Sequence, residues 1–356
     1  MPNPERSRIV IDSSPLRYLH TGLGQFTFHL LNELSKLPFP EAILIALVHP
    51  RYSGLIPDGI SPESATWLRR HAPAALQSFL HRDCKVWHMT AENNRLTGVP
   101  KSAGVVLTLH GLHFLDEASP KEAQKALKKV QMLVDRANVI TVVSHFTETL
   151  IRAHLRLGTT PIHVIPNGVS FEKQPVQKPS WAPKDEFLFS IGTFFPRKNF
   201  HVLVPMMKYL PEYKLVLAGD SGSAYAMQVM EEVRNSGLSD RVLFPGEVTQ
   251  PEKQWLFEHG KALLFPSLSE GFGIPVIEAF HHGKPAVCSR FGSLPEIGGE
   301  HAAFWEDETP QQMATTVRNV LSRESPQLVD SRKVYARRFS WAAAAKSYQE
   351  IYRSLL

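Results

Sequence analysis

Short apolar runs alternate with helix-sized stretches along nearly the whole chain, and this alternation limits the fold more than any other feature. Ser7–Asp12, Ala42–His49, Lys85–Met89, Gly104–His110 and Asn138–Val143 read as strands. Gln25–Leu37, Lys121–Arg136 and Thr147–His154 read as helices between or after them, and Pro161–Pro166 adds a short strand. Strands separated by helices predict a parallel sheet covered on both faces. The pattern breaks at Phe171–Lys184, where Pro175, Pro179 and Pro183 occur with little apolar periodicity, as in an interdomain linker. It then restarts with strands Glu186–Ile191, Lys214–Ala218, Arg241–Phe244, Ala262–Phe265 and Pro285–Ser289 and helices Phe200–Tyr209, Ala224–Asn235 and Pro251–His259. A final helix is expected over Trp341–Leu356. A chain of 356 residues can bury two cores. The expected division is 1–170, a linker 171–184, a second domain 185–339 and the helix 340–356.

Composition narrows the class. With 43% hydrophobic and 21% charged residues the chain reads as an ordinary globular protein. Two cysteines, Cys84 and Cys288, cannot make a disulfide framework, which favours a reducing compartment. The longest clear apolar run, Ala42–Val48, is strand-sized, and no signal-peptide core precedes it, so a cytoplasmic location is expected. A net charge of +5 suits phosphorylated substrates or an anionic membrane. No nucleic-acid-binding motif is present, and a nucleic-acid partner is not expected.

Chemistry concentrates where strands end. Ser269-Glu-Gly-Phe-Gly-Ile-Pro-Val-Ile-Glu-Ala279 follows the apolar run Ala262–Pro266. Gly271 and Gly273 allow close backbone approach, and Pro275 suits the first turn of a helix that contains Glu278. A strand, a glycine turn and a helix N-terminus make a site for a phosphate or an oxygen-rich ligand. Carboxylates accept hydrogen bonds from hydroxyls, so Glu270 and Glu278 point to a sugar or ribose. Taken alone, the E-x7-E spacing equally fits a helix-face charge and a turn residue. Gly192-Thr-Phe-Phe-Pro-Arg-Lys-Asn199 follows the strand Glu186–Ile191 and offers a planar fork, Arg197, beside a point charge, Lys198. Thr21-Gly-Leu-Gly24 reads as a glycine turn after the first strand, short of a full dinucleotide fingerprint. His110 ends the apolar strand at Val105–Leu109.

Together these segments resemble the retaining glycosyltransferases with the GT-B fold, family four. The resemblance implies an α/β architecture of two Rossmann-like domains facing each other across a cleft, with the last helix crossing back to the first domain. It implies that Glu270 contacts the donor sugar's hydroxyls and Glu278 the ribose. Arg197 and Lys198 would neutralise the donor's phosphates, assisted by the amides of Gly271, Phe272, Gly273 and Ile274. The backbone of Gly22 and Gly24 would lie against phosphates and acceptor. His110, in Thr108-Leu-His110-Gly111, would lie near the sugar's C6 hydroxyl; the family's aspartate at the next position is missing, and Asp116 is a candidate substitute. Val143-Ser144, Gly192-Thr193 and Gly246-Glu247-Val248 match further donor-site elements, and Asn167-Gly-Val169 matches one near the hinge. His110, Glu270, Arg197 and Lys198 form the expected catalytic set.

The implied activity is transfer of a hexose from a nucleotide-diphosphate sugar to a hydroxyl of a glycan or lipid-linked acceptor in polysaccharide or lipopolysaccharide biosynthesis. GDP-mannose is the first expectation for the donor, then a UDP-hexose or UDP-N-acetylhexosamine. No cofactor or metal is expected: there is no Asp-x-Asp, no His pair at helical spacing beside a Glu, and no cysteine cluster. Alternatives are a non-catalytic nucleotide-sugar-binding protein and an epimerase or dehydrogenase on similar domains. Gly219-Asp-Ser-Gly222 copies a serine-protease nucleophile sequence but follows a strand in an α/β pattern, which suits a strand-to-helix connection. Trp67-Leu-Arg-Arg70 with Phe79, Leu80 and Arg82, and the lysine-rich Lys121–Lys129, would fit docking on an anionic bilayer or a solvated helix face.

Overall fold

The computed structural model describes residues 6–64, 81–96, 98–170 and 175–356. It divides into two compact units, Met1–Gly168 with Ser340–Leu356, and Val169–Phe339.

The first unit is built on a seven-stranded sheet: β1 Ser7–Asp12, β2 Ala42–Val48, β3 Ser61–Ser64, β4 Cys84–Met89, β5 Gly104–Leu109, β6 Val139–Val142 and β7 Ile162–Val164. All pairings are parallel, in the order β3-β2-β1-β4-β5-β6-β7. Successive residues of β1 face opposite layers. Ile9 and Ile11 pack with Phe26, Leu30, Trp341 and Tyr348, while Val10 packs with Val130, Leu133 and Ile151. That is why Ile9–Ile11 at the centre of β1 is an unbroken apolar run. The sequence pattern misses β3 because Ser61-Pro-Glu-Ser64 carries no apolar signal. As an edge strand it tolerates proline and polar residues.

The last helix, Trp341–Ser354, belongs to this first unit. Its polar groups are matched in the core. Tyr348 Oη lies 3.0 Å from both Thr108 Oγ1 and Thr141 Oγ1, and Tyr352 Oη lies 2.6 Å from His88 Nδ1. Burial drives the His88 pKa down to about 3, so this ring is neutral and structural.

The second unit carries β8 Phe187–Ile191, β9 Lys214–Ala218, β10 Val242–Gly246, β11 Leu263–Phe265, β12 Ala286–Cys288 and β13 Ala303–Phe304, again parallel, in the order β10-β9-β8-β11-β12-β13. Counted within each unit, both sheets run 3-2-1-4-5-6, the Rossmann order, and the first adds a seventh strand after the sixth. Residues 175–184 hold no helix or strand but pack on the second unit: Gln177 N–H bonds to Pro251 O at 3.1 Å, and Trp181 meets Trp255 edge-on at 6.3 Å. They are part of that unit's surface rather than a free linker. The expected helix Phe200–Tyr209 is instead a 3-10 turn Phe200–Val202, one α-turn Leu203–Met206 and a 3-10 turn Met207–Tyr209. Pro205 lacks the N–H that a continuous helix needs there. Gly219–Gly222 connects β9 to the helix Ala224–Asn235, with Asp220 accepting the Gly222 amide at 2.9 Å, a structural turn.

No helix among the described residues is long and apolar enough to cross a membrane. Trp67, Arg69, Arg70, Phe79 and Leu80 lie outside the described residues, while Lys121, Lys125, Lys128 and Lys129 line the exposed face of the helix Pro120–Arg136.

Candidate functional site

In an open parallel sheet, loops after neighbouring strands diverge where the strand order reverses, leaving a crevice beyond the carboxyl ends. In the second unit this switch point lies between β8 and β11. The loop after β8 carries Arg197 and Lys198 in a 3-10 turn, Pro196–Lys198, closed by Asn199 at φ 56°, a left-handed conformation that asparagine tolerates. The loop after β11 carries Glu270. The two loops are joined: Leu268 N–H donates to Arg197 O at 2.7 Å, and Lys198 Nζ is ion-paired with Glu270 Oε1. Arg197 Nη1 lies 3.3 Å from Ser269 O and 3.5 Å from Glu270 Oε1, and Ser267 Oγ donates to the same carboxylate at 2.6 Å.

Residues 72 and 73 positions apart thus form one charged cluster, and Glu270 and Lys198 are both only 9% exposed. Burial alone would raise the Glu270 pKa. The adjacent Lys198 and Arg197 charges and the hydrogen bonds from Lys198 and Ser267 outweigh it and bring it down to about 2. Glu270 is therefore an anion throughout the physiological range, able only to accept hydrogen bonds.

Glu278 lies on the helix Ile274–His281, which starts at Gly273 with φ 97°. A Cβ on Gly273 would come within 2.8 Å of Leu294 Cδ2, so structure alone demands glycine here. Glu278 Oε1 is held at 2.6 Å by Lys253 of the helix Gln250–His259. Its Oε2 is buried and has no hydrogen-bond partner. The amides of Phe272, Gly273 and Ile274 have no acceptor among the described residues. The Phe272 ring packs edge-on against Phe339 at 5.7 Å, so only its backbone is available to a ligand. Gly192 and Thr193 follow β8 in the same crevice, and Glu247 and Val248 follow β10 just before the cap Thr249.

In the first unit the switch point lies between β1 and β4. His110 follows β5, next to β4, and is 8% exposed. Its Nε2 lies 2.9 Å from Thr90 O, and since a carbonyl only accepts, Nε2 carries the proton. Burial lowers the His110 pKa more than Glu92 and the hydrogen bond to Thr90 raise it. The neutral ring then presents Nδ1 as an acceptor. The carboxylate beside His110 is Glu92, whose Oε2 accepts the His110 amide at 3.3 Å. Asp116, the candidate substitute, is exposed on the short helix Phe114–Glu117.

Two expectations need correction. Gly22 and Gly24 do not form a loop but the first turn of the helix Gly22–Leu34, capped by Thr21, whose Oγ1 accepts the Gly24 amide at 3.3 Å. A Cβ on Gly24 would stand 2.2 Å from Tyr18 O, so this glycine serves close backbone packing, whereas Gly22 has open space around it. Ser144 is fully buried and caps the helix His145–His154, accepting the Thr147 amide at 3.0 Å. Its hydroxyl is committed to that cap. Sequence reasoning also misses Lys253, Ser267, Glu92 and Gly292, whose backbone packs directly on that of Glu270. Only their positions just past strands or early in a helix hint at a role.

Comparison with known proteins bears on the family and the fold. A family profile described as Glycosyl transferases group 1 matches residues 172–339, and one described as Glycosyltransferase Family 4 matches residues 22–173. The chain belongs to the family-four glycosyltransferases with the GT-B fold. Among its relatives, the O-antigen chain mannosyltransferase RfbU of Salmonella typhimurium is 24% identical over 88% of this chain and 90% of its own. The O-antigen chain mannosyltransferase B of Escherichia coli is 25% identical over 94% and 96%. Among solved structures, the sucrose-phosphate synthase of Thermosynechococcus elongatus superposes with a TM-score of 0.77 at 18% identity, covering 98% of this chain and 99% of its own. Anabaena HepE in complex with UDP-glucose also superposes with a TM-score of 0.77 at 18% identity, covering 98% and 100%.

Proposed function

We propose that the second unit holds a nucleotide-diphosphate sugar, GDP-mannose first, and that the enzyme transfers its hexose with retention to a hydroxyl of a glycan or lipid-linked acceptor. The observation that carries the reading is the carboxylate pair. Glu278 presents a buried oxygen with no partner, and an unmatched buried acceptor costs about 1–3 kcal/mol, which a ribose hydroxyl would recover. Glu270, kept ionised by Lys198 and Arg197, would accept hydrogen bonds from sugar hydroxyls. The same two cations and the amides of Phe272, Gly273 and Ile274 would take the diphosphate's charge, which grows as the bond to the anomeric carbon breaks. His110 Nδ1 would accept a hydroxyl of a substrate sugar.

In the transfer step the acceptor oxygen bonds to the anomeric carbon on the face from which the diphosphate departs. The bond between that carbon and the phosphate oxygen breaks, and the acceptor's proton passes to the leaving phosphate. Because Glu270 is held as an anion by two cations, it serves as a hydrogen-bond acceptor rather than an acid. The two O-antigen mannosyltransferases favour mannose and a place in polysaccharide or lipopolysaccharide assembly.

The test is a panel of GDP-mannose, UDP-glucose and UDP-N-acetylglucosamine, scored by thermal stabilisation and by hydrolysis. A ligand at a hundredfold its Kd adds about 2.7 kcal/mol, or roughly 5–10 °C for a unit of this size. Stabilisation by GDP-mannose alone supports the full reading. Stabilisation by a UDP sugar moves the donor, and none at all removes the proposal.

A further inference from the structure

The first unit contains a cavity of about 290 Å³ that the donor chemistry does not use. It lies at the carboxyl ends of the adjacent strands β1 and β2 and is lined by Ser13, Ser14, Arg17, His49, Arg51 and Tyr52, with Val48 at its side. Each of these strands runs into a proline-started 3-10 turn carrying an Arg-Tyr pair: Arg17-Tyr18 in Ser14–Tyr18 and Arg51-Tyr52 in Pro50–Leu55. Each guanidinium lies over its neighbouring ring, 4.7 Å from the Tyr18 centroid and 5.9 Å from the Tyr52 centroid. Such stacking orients an arginine without consuming its hydrogen-bond donors.

Neither arginine has a carboxylate partner among the described residues, whereas Arg8, Arg152, Arg290, Arg318, Arg332 and Arg353 are each ion-paired. Of the remaining polar lining, Ser13 Oγ already donates to Ile11 O at 3.1 Å, while His49 and Ser14 each keep a donor. His49 Nδ1 accepts the Arg51 amide at 3.2 Å, so the neutral ring carries its proton on Nε2. Ser14 Oγ accepts from Asn94 at 3.2 Å and keeps its own hydrogen to donate. The one carboxylate close by in sequence, Asp12, accepts the Ser14 amide at 3.0 Å.

We propose that this cavity is an oxyanion subsite for the acceptor, and that the acceptor carries a phosphate group there. Two exposed arginines lining one cavity from separate turns suit a dianion better than a single carboxylate. The inference rests on the transferase reading and adds the acceptor's chemical class to it. It also requires a class of reaction that leaves a phosphorylated glycan or phosphate-linked carrier as substrate for this enzyme.

The experiment titrates inorganic phosphate, with acetate as comparison, into the full chain in three forms: wild type, R197Q and R17Q/R51Q. R197Q weakens any phosphate binding at the donor site, so a site surviving there but weakened about tenfold or more in R17Q/R51Q is the proposed one. Circular dichroism checks that the double variant is folded. With acceptors, R17Q/R51Q should raise KM for a phosphorylated glycan about tenfold while KM for its neutral counterpart is unmoved. A free phosphate ion that binds without this acceptor effect marks a site for inorganic phosphate and overturns the acceptor assignment. Equal phosphate binding in wild type and R17Q/R51Q, or acetate binding as tightly as phosphate, overturns the site. GDP binding by thermal shift reads the donor proposal independently, so either can fail alone.

Discussion

Replacing Lys198 with methionine keeps much of the side chain's bulk and removes the charge that most strongly holds Glu270 ionised. In the native protein the Glu270 pKa falls from 4.5 to about 2 against the opposing effect of burial. At about 1.4 kcal/mol per unit this is worth about 3 kcal/mol. The pKa is depressed on folding, so this stability is fully present above pH 4.5 and is lost as pH falls through about 2. In K198M the carboxylate keeps Arg197, whose Nη1 is 3.5 Å away, but loses its direct ion pair, and burial then favours the neutral form. Breaking a buried pair from one side costs about 3–5 kcal/mol; with Arg197 remaining, the low end applies. The second unit should melt roughly 6–12 °C lower at pH 7. With the Glu270 pKa raised, K198M should regain stability relative to wild type as the pH drops from 7 towards 4.5. K198M/E270Q should recover most of the loss, because no buried charge is left alone. Thermal melts of the four proteins in this cycle between pH 4.5 and 8 provide the test. Equal melting temperatures at pH 7, or a K198M pH profile parallel to wild type, would refute the account of Glu270 as a buried anion held by its cations.

Other consequences can be checked separately. E278Q should raise the donor KM about tenfold, as expected for about 1.4 kcal/mol of lost ribose contact, with a melting temperature within a few degrees of wild type; an unchanged KM would remove Glu278 from the donor site. Because the His110 pKa is lowered and its ring is neutral, turnover should not fall through any His110 protonation between pH 8 and 6.5, while H110A should lose about a hundredfold in kcat. A His110-dependent loss over that range would count against the neutral acceptor role. G24A should destabilise the first unit by about 1–3 kcal/mol through the clash with Tyr18 O, and G22A should be tolerated, both read by denaturant melts. With Arg197, Lys198 and the helix-start amides assigned to the diphosphate, EDTA should leave turnover unchanged; a loss restored by Mg²⁺ would show that a divalent cation shares that charge.

Legibility in the sequence followed the kind of interaction involved. Strands with a core buried on both faces, such as β1 and β9, are read with their observed bounds because Ile9–Ile11 and Leu215–Ala218 are unbroken apolar runs. The helix Ala224–Asn235 is also read with its observed bounds, with Ser223 accepting the Ala226 amide as its cap. The edge strands β3 and β13 escape, one polar and one only two residues long. Two further helices, Pro310–Ser322 and Pro326–Ala336, lie in a stretch the alternation leaves unassigned. In the site, glycine and proline punctuation exposes Glu270, Glu278 and the Arg197-Lys198 turn. Lys253 and Glu92 remain hidden, since each acts through a partner 25 or 18 positions away. Such pairings depend on which strands are neighbours, and periodicity carries no record of strand order.

That order also explains why the charged cluster forms. With β8 at the centre of its sheet and β11 beside it, the chain must leave β8 towards β9 on one side and leave β11 towards β12 on the other. The two departing loops are therefore neighbours at their origins although 70 residues separate Ser267 from Arg197. Each loop alone would place a charge where burial is costly: Glu270 without Lys198, or Lys198 without Glu270. Together they are mutually neutralising, and the Leu268 amide bonded to Arg197 O sets their register. The first unit has the same strand order, and its switch point gathers Asp12, Thr90 and His110, with Thr90 bridging Asp12 O at 2.6 Å and the His110 ring at 2.9 Å. There no cation contacts His110 among the described residues, burial is met by leaving the histidine neutral, and the ring is left with Nδ1 as an acceptor instead of a charge. One topology used twice thus yields two different chemical faces, and the difference comes from the side chains placed on the loops.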